Sequence, residues 1–90
     1  MDTQKANSPF SEIESTNKSF LILHNDDIND FDFVIDSLID ICEHDEIQAE
    51  QCATITHYNG KCDIKKGNTL LLEDMKELLQ ERGLSVTLEK

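Results

Sequence analysis

The sequence predicts an α+β domain with the element order β-α-α-β-α-β, a three-stranded, mainly antiparallel sheet with three helices packed on one face. Three observations lead there. Strand-like apolar runs stand near both ends of the chain, at Ser19 to His24 and Leu84 to Leu88. A third, Lys61 to Lys66, alternates with Cys62 and Ile64 on one face. Helix-spaced apolar residues fill the segments between these runs. Ninety residues are enough for one such domain around one modest core.

Taken in order, residues 1–18 hold the only proline and few large apolar side chains, and read as a flexible N-terminal extension; residues 19–90 form the folded core. In the first strand Phe20-Leu21-Ile22-Leu23 is continuous and apolar, then stops at His24-Asn25-Asp26-Asp27. Asn29 or Asp30 caps a first helix, whose Phe31, Val34, Ile35, Leu38, Ile41 and Cys42 share a face while Asp32, Asp36, Asp40 and Glu43 take the others. Asp45, with Gln48 three residues later, caps a second helix. Its apolar side is less regular: Ile47, Cys52 and Ile55, joined by Ala49 and Ala53. Gly60 can take the left-handed conformation that closes it. After the middle strand Gly67-Asn68-Thr69 makes a turn and cap, and Leu71, Leu72, Met75, Leu78 and Leu79 line a third helix over 68–82 that Gly83 ends.

Composition narrows function. Eight basic against nineteen acidic residues give a net charge of −11. That disfavours nucleic acid, whose phosphates call for clustered Lys and Arg, and anionic membranes as well. No apolar run reaches spanning length and no basic-then-apolar leader is visible, so the expectation is a cytoplasmic protein whose partners present positive charge. Cys42, Cys52 and Cys62 lack the pairing and spacing of a disulfide framework or zinc site and read as small apolar or semi-buried residues.

The most informative stretch is Asn25-Asp26-Asp27. Such residues are ordinary loop and cap formers. They are also acceptors, and with His57 they suit a terminal ammonium, which offers three N–H donors and has a pKa of about 8. A catalytic role for Asp26, Asp27 and His57 has no nucleophile or phosphate loop beside it. A metal role for His24, Asp26, Asp27 and His57 fails on spacing: the acidic run lacks the glycine and the distal glutamate of a calcium loop. Neither a metal nor a cofactor is expected.

These residues carry a resemblance. LILHNDDINDFDFVIDSLIDICEHDEIQA followed by HYNGK is similar to the ClpS adaptors of the Clp protease. That family's strand ends in N-D-D, an F-V marks its first helix, and H-x-x-G-K ends its second. Asn25-Asp26-Asp27, Phe33-Val34 and His57 to Lys61 match, as does Thr87-Leu88-Glu89 at the end.

The resemblance implies a fold like the C-terminal domain of the ribosomal stalk protein. It also implies a non-enzymatic role in the N-end rule: binding N-degron proteins whose first residue is large and hydrophobic and handing them to a Clp ATPase. By motif position Asn25, Asp27 and His57 would hold the substrate's α-amino group, with Asp26 nearby. Asn29, Phe31, Val34, Ala53, Thr56 and Leu84 would line its side-chain pocket. The extension would take part in delivery, and the third helix with adjacent strand ends would face the N-terminal domain of a Clp-family AAA+ ATPase. Departures are clear: Asn29-Asp30-Phe31 replaces the family's T-P-M, Phe31 stands at a methionine position, and Ala53 and Thr56 stand where methionine and valine are common. The segment between Lys61 and Leu84 is shorter than usual. An alternative is a ClpS-like interaction module whose pocket Phe31 fills, binding the ATPase or another protein without recognising N-degrons.

Overall fold

Strand β1 (Lys18–His24) lies between β2 (Lys61–Asn68) and β3 (Ser85–Glu89), antiparallel to both. This is a computed structural model describing residues 18–90. The expected N-terminal extension therefore falls outside the described residues, except at its boundary: Lys18 is the first residue of β1 and pairs with Asn68. Helices α1 (Phe31–Cys42), α2 (Glu46–Asn59) and α3 (Thr69–Glu81) complete the order β-α-α-β-α-β.

Alternation along β1 sends Leu21 and Leu23 toward the helices, where they join Leu38, Cys42, Ala49, Cys52, Ile64, Leu72, Met75, Leu79, Leu84 and Val86 in one core. The middle strand continues through Gly67 and Asn68, with Gly67 opposite Ser19, so these two residues of the expected turn are strand and Thr69 opens α3 directly. Asn68 still caps α3, its Oδ1 accepting from the Leu70 and Leu71 N–H groups.

A bulge on β2 sets Leu21 against Lys65 and Ile22 against Asp63, leaving Ile64 unmatched. The side chain of buried His44 donates from Nε2 to the Ile64 carbonyl at 2.7 Å. Next to it, Lys65 Nζ donates to the Cys42 carbonyl at 3.0 Å. This places a cation at the negative end of α1, whose last turn has no basic residue of its own.

Two helix faces differ from expectation. Helix α2 buries Ala49, Cys52, Ala53 and Thr56, at i, i+3, i+4 and i+7, while Ile47 is 69% and Ile55 42% exposed. The face of α2 that packs against α1 and β2 is thus built of small side chains, with the larger isoleucines turned outward. In α3 the inward residues are Leu72, Met75 and Leu79; Leu71 and Leu78 sit on the flank, half-exposed. The three cysteines are free, with Cys42 and Cys52 buried and Cys62 partly so. Burial pushes the Cys42 thiol up to about 11 and the Cys62 thiol up to about 12, which leaves both protonated and unreactive near neutral pH. Among the described residues no helix is long and apolar enough to cross a membrane.

Candidate functional site

Two chain ends meet because α2 runs straight into β2. Gly60, at φ +93°, closes the helix, its N–H donating to the Thr56 carbonyl at 2.9 Å. The next residue, Lys61, already pairs with His24. One residue further along β1, the Asn25 N–H donates to the Gly60 carbonyl at 2.9 Å. The tip of β1 and the last turn of α2 are thus tied backbone to backbone.

Around this tie lies a cavity of about 590 Å³. Its lining includes Asn25, Asp26, Asp27 and His57, and also Asn29, Phe31, Val34, Ala53, Thr56 and Leu84. Leu23, His24, Thr54 and Tyr58 line it as well. The sequence reading had not placed these four in a pocket. Tyr58 had a signal, since it directly follows His57 on the last helical turn. Its ring stands edge-on to the imidazole, with centroids 4.9 Å apart.

The apolar floor draws on α1, α2 and the turn before β3, and the polar lip on the end of β1 and the last turn of α2. On the floor, Ala53 and Thr56 are buried, and the Thr56 hydroxyl donates to the Cys52 carbonyl at 2.8 Å, so this wall offers no unspent donor. Val34 stands one turn after Phe31 on α1, and buried Leu84 enters from the turn before β3. Phe31 is 42% exposed and forms a side of the hollow without closing it. At the lip, the side chains of Asn25, Asp27 and His57 make no hydrogen bond to any described residue. Among the described residues no lysine or arginine lines the cavity. The rim therefore presents acceptors and negative charge, which suits a cationic donor.

Asp26 behaves differently from its neighbours. Its Oδ1 accepts from the Ile28 and Asn29 N–H groups, both at 3.0 Å, and the Asn29 amide reaches the carboxylate too. Burial acts to raise its pKa, but the N–H groups of Asn29 and Ile28 and the side chains of Asn29 and Ser85 outweigh that, and it titrates below its ordinary 3.8. The carboxylate organises the loop that carries Asn25 and Asp27. A depressed folded-state pKa means that this contribution is present above pH about 4 and is lost as the pH falls through the folded value. Asp26→Asn is accordingly expected to lower the melting temperature at pH about 7, with the gap to the unsubstituted protein narrowing below pH about 4. A constant gap across that range in thermal denaturation would contradict the assignment.

The family model "ATP-dependent Clp protease adaptor protein ClpS" matches residues 14–87. The chain belongs to the ClpS family. Among solved structures it is similar to Agrobacterium tumefaciens ClpS2 bound to L-phenylalaninamide, at 20% sequence identity and a TM-score of 0.71, covering 81% of this chain and 95% of that one. At that identity the likeness concerns the fold, and the shared ClpS architecture agrees with the element order above. No curated protein sequence matches the chain. Among the described residues no group of three or more His, Cys, Asp or Glu side chains is arranged to hold a metal ion.

Proposed function

We propose that this ClpS-family protein is an N-end rule adaptor. It binds proteins through a free α-amino group and a large hydrophobic first side chain, then delivers them to a Clp ATPase in the cytoplasm without chemistry of its own. The observation that carries the reading is the cavity's division, with the acceptors Asn25, Asp27 and His57 unpartnered among the described residues at its lip and Val34, Ala53 and Leu84 below. An ammonium would satisfy the lip and an apolar side chain the floor. The solved ClpS2 carries L-phenylalaninamide, a ligand with both features, which supports extending the idea to this chain.

Magnitudes fit an adaptor. Burying a leucine or aromatic side chain contributes about 2–3 kcal/mol, and each charge-assisted bond about 1.5–3 kcal/mol before ordering costs. The sum suits binding near −8 kcal/mol, about micromolar, which permits release. Phe31 stands on the cavity wall and about 590 Å³ remains open, which weighs against a module whose pocket is plugged by that ring. For delivery, the exposed Leu70, Leu71 and Leu78 of α3 support this helix as the face for the ATPase's N-terminal domain.

Titration with peptides beginning Phe, Leu, Tyr, Trp or Ala tests the reading. The large hydrophobic residues are expected to bind and Ala to bind weakly, with acetylation of the amine abolishing binding. Equal, negligible affinity for all five, or indifference to acetylation, would remove it.

A further inference from the structure

The hydrogen-bonded pairing of β1 with β3 ends at His24 and Ser85. Beyond that pair one chain enters the 25–30 loop and the other turns back through Leu84 and Gly83 into α3. The cavity straddles this divergence, with Asn25, Asp26 and Asp27 on one side and Leu84 on the other. Asn29 crosses it. Its amide nitrogen donates to the Gly83 carbonyl at 2.8 Å and to the Asp26 carboxylate, 3.2 Å from Oδ2 and 3.3 Å from Oδ1. An amide nitrogen has two hydrogens, one for each partner, so none is left for a ligand.

We propose that Asn29 is a positioning residue rather than part of the pocket's binding surface. It is a strut that fixes the spacing between the amine-binding lip and the Leu84 wall, so that one first residue engages both. The inference rests on the adaptor reading and adds a determinant to it. The turn it grips is otherwise organised from the helix side. Gly83 N–H donates to the Gln80 carbonyl at 2.9 Å and Leu84 N–H to the Leu79 carbonyl at 3.1 Å, with Gly83 at φ +92°. Asn29 supplies a bond from the loop side.

The chemistry of the strut makes it testable by an isosteric change. Asn29→Asp keeps the shape but removes both donors, setting a carboxylate against the Asp26 carboxylate and the Gly83 carbonyl. Three acceptors then face one another with no hydrogen between them. Like charges this close raise the pKa of the pair, so a proton is taken up as the pH falls and one hydrogen bond returns. Asn29→Ala deletes the strut and leaves nothing to titrate.

The experiment measures affinity for an unblocked Phe-initiated peptide and its acetylated control by fluorescence anisotropy, from about pH 8 to about pH 5, with a thermal melt of each variant. The full chain is used throughout. Both variants are expected to bind the unblocked peptide about fivefold or more weakly than the unsubstituted protein at about pH 8. Toward about pH 5 the deficit, taken relative to the unsubstituted protein at the same pH, shrinks for Asn29→Asp and stays constant for Asn29→Ala. Unchanged affinity in Asn29→Ala, or a lower melting temperature with full affinity, overturns the proposal as a merely structural role. If Asn29→Ala does not fold, Asn29→Asp decides alone, and absence of its recovery at low pH overturns the proposal. Failure of the unsubstituted protein to prefer the unblocked peptide overturns the adaptor reading and this inference together. Normal binding there with indifferent variants overturns this inference alone.

Discussion

Asp27→Ala and His57→Ala are each expected to weaken binding of an unblocked Phe- or Leu-initiated peptide at least about tenfold, the effect of losing one charge-assisted hydrogen bond. The reason is the state of these groups before any ligand arrives. Neither makes a side-chain hydrogen bond to a described residue, and both line the cavity beside the Asn25–Gly60 tie. A bound ammonium would be their partner, and deleting one acceptor leaves a donor of that ammonium unmatched in a partly dry site. The effect should vanish with acetylated peptides and fade as the pH rises above about 8, where a free terminus loses its charge. Isothermal titration of both variants against both peptides is the measurement, and unchanged affinity in the two variants contradicts the roles assigned here. Asp26 differs from Asp27, since its carboxylate already serves the Ile28 and Asn29 N–H groups and the Asn29 amide, so its loss is read in stability and reaches the ligand only through the loop.

Leu38→Ala is expected to cost about 2–5 kcal/mol of stability, the range for truncating a buried leucine. Leu38 is fully buried on α1 and joins the core that holds this helix against the sheet. Small domains have about 5–15 kcal/mol in total, so the variant would retain little margin. At about 4–8 °C per kcal/mol for a domain of this size, its melting temperature should fall by at least about 8 °C. Circular dichroism melts check this, and a shift of only a few degrees would mean that neighbouring side chains collapse into the space. Because α1 also presents Phe31 and Val34 to the cavity, peptide affinity is a useful second readout.

Much of the fold was legible because its signals are local. Asp30 and Asp45 each accept a backbone N–H three residues on, from Phe33 and Gln48, as cap chemistry at those positions requires. Gly60 and Gly83 both have positive φ, where glycine is least strained. The misreadings have one cause. Ile47 and Ile55 carry the hydropathy of core residues but lie outward, because the face that α2 turns to α1 and β2 is the one carrying Ala49, Cys52, Ala53 and Thr56. Likewise Gly67 and Asn68 look like a turn in isolation, yet pairing with Ser19 and Lys18 holds them in β2. Neither outcome depends on properties of the residues alone.

The candidate site divides the same way. The sequence by itself determined which chemical groups stand at the end of β1 and the end of α2, and the family motifs that carry them. Spacing along the chain fixes residue types and local backbone, since caps, alternation and helical period act within a few residues. Only the tertiary structure decided that His24 pairs with Lys61 and Ser85, bringing both ends and the Leu84 turn around one cavity. It also decided that Asp26 and Asn29 spend their hydrogen-bonding capacity on the loop, while Asn25, Asp27 and His57 keep theirs. Those assignments follow from which groups are neighbours in space after distant segments pack, and a hydrogen bond across fifty-four positions, as from Asn29 to Gly83, leaves no trace in the sequence around either end.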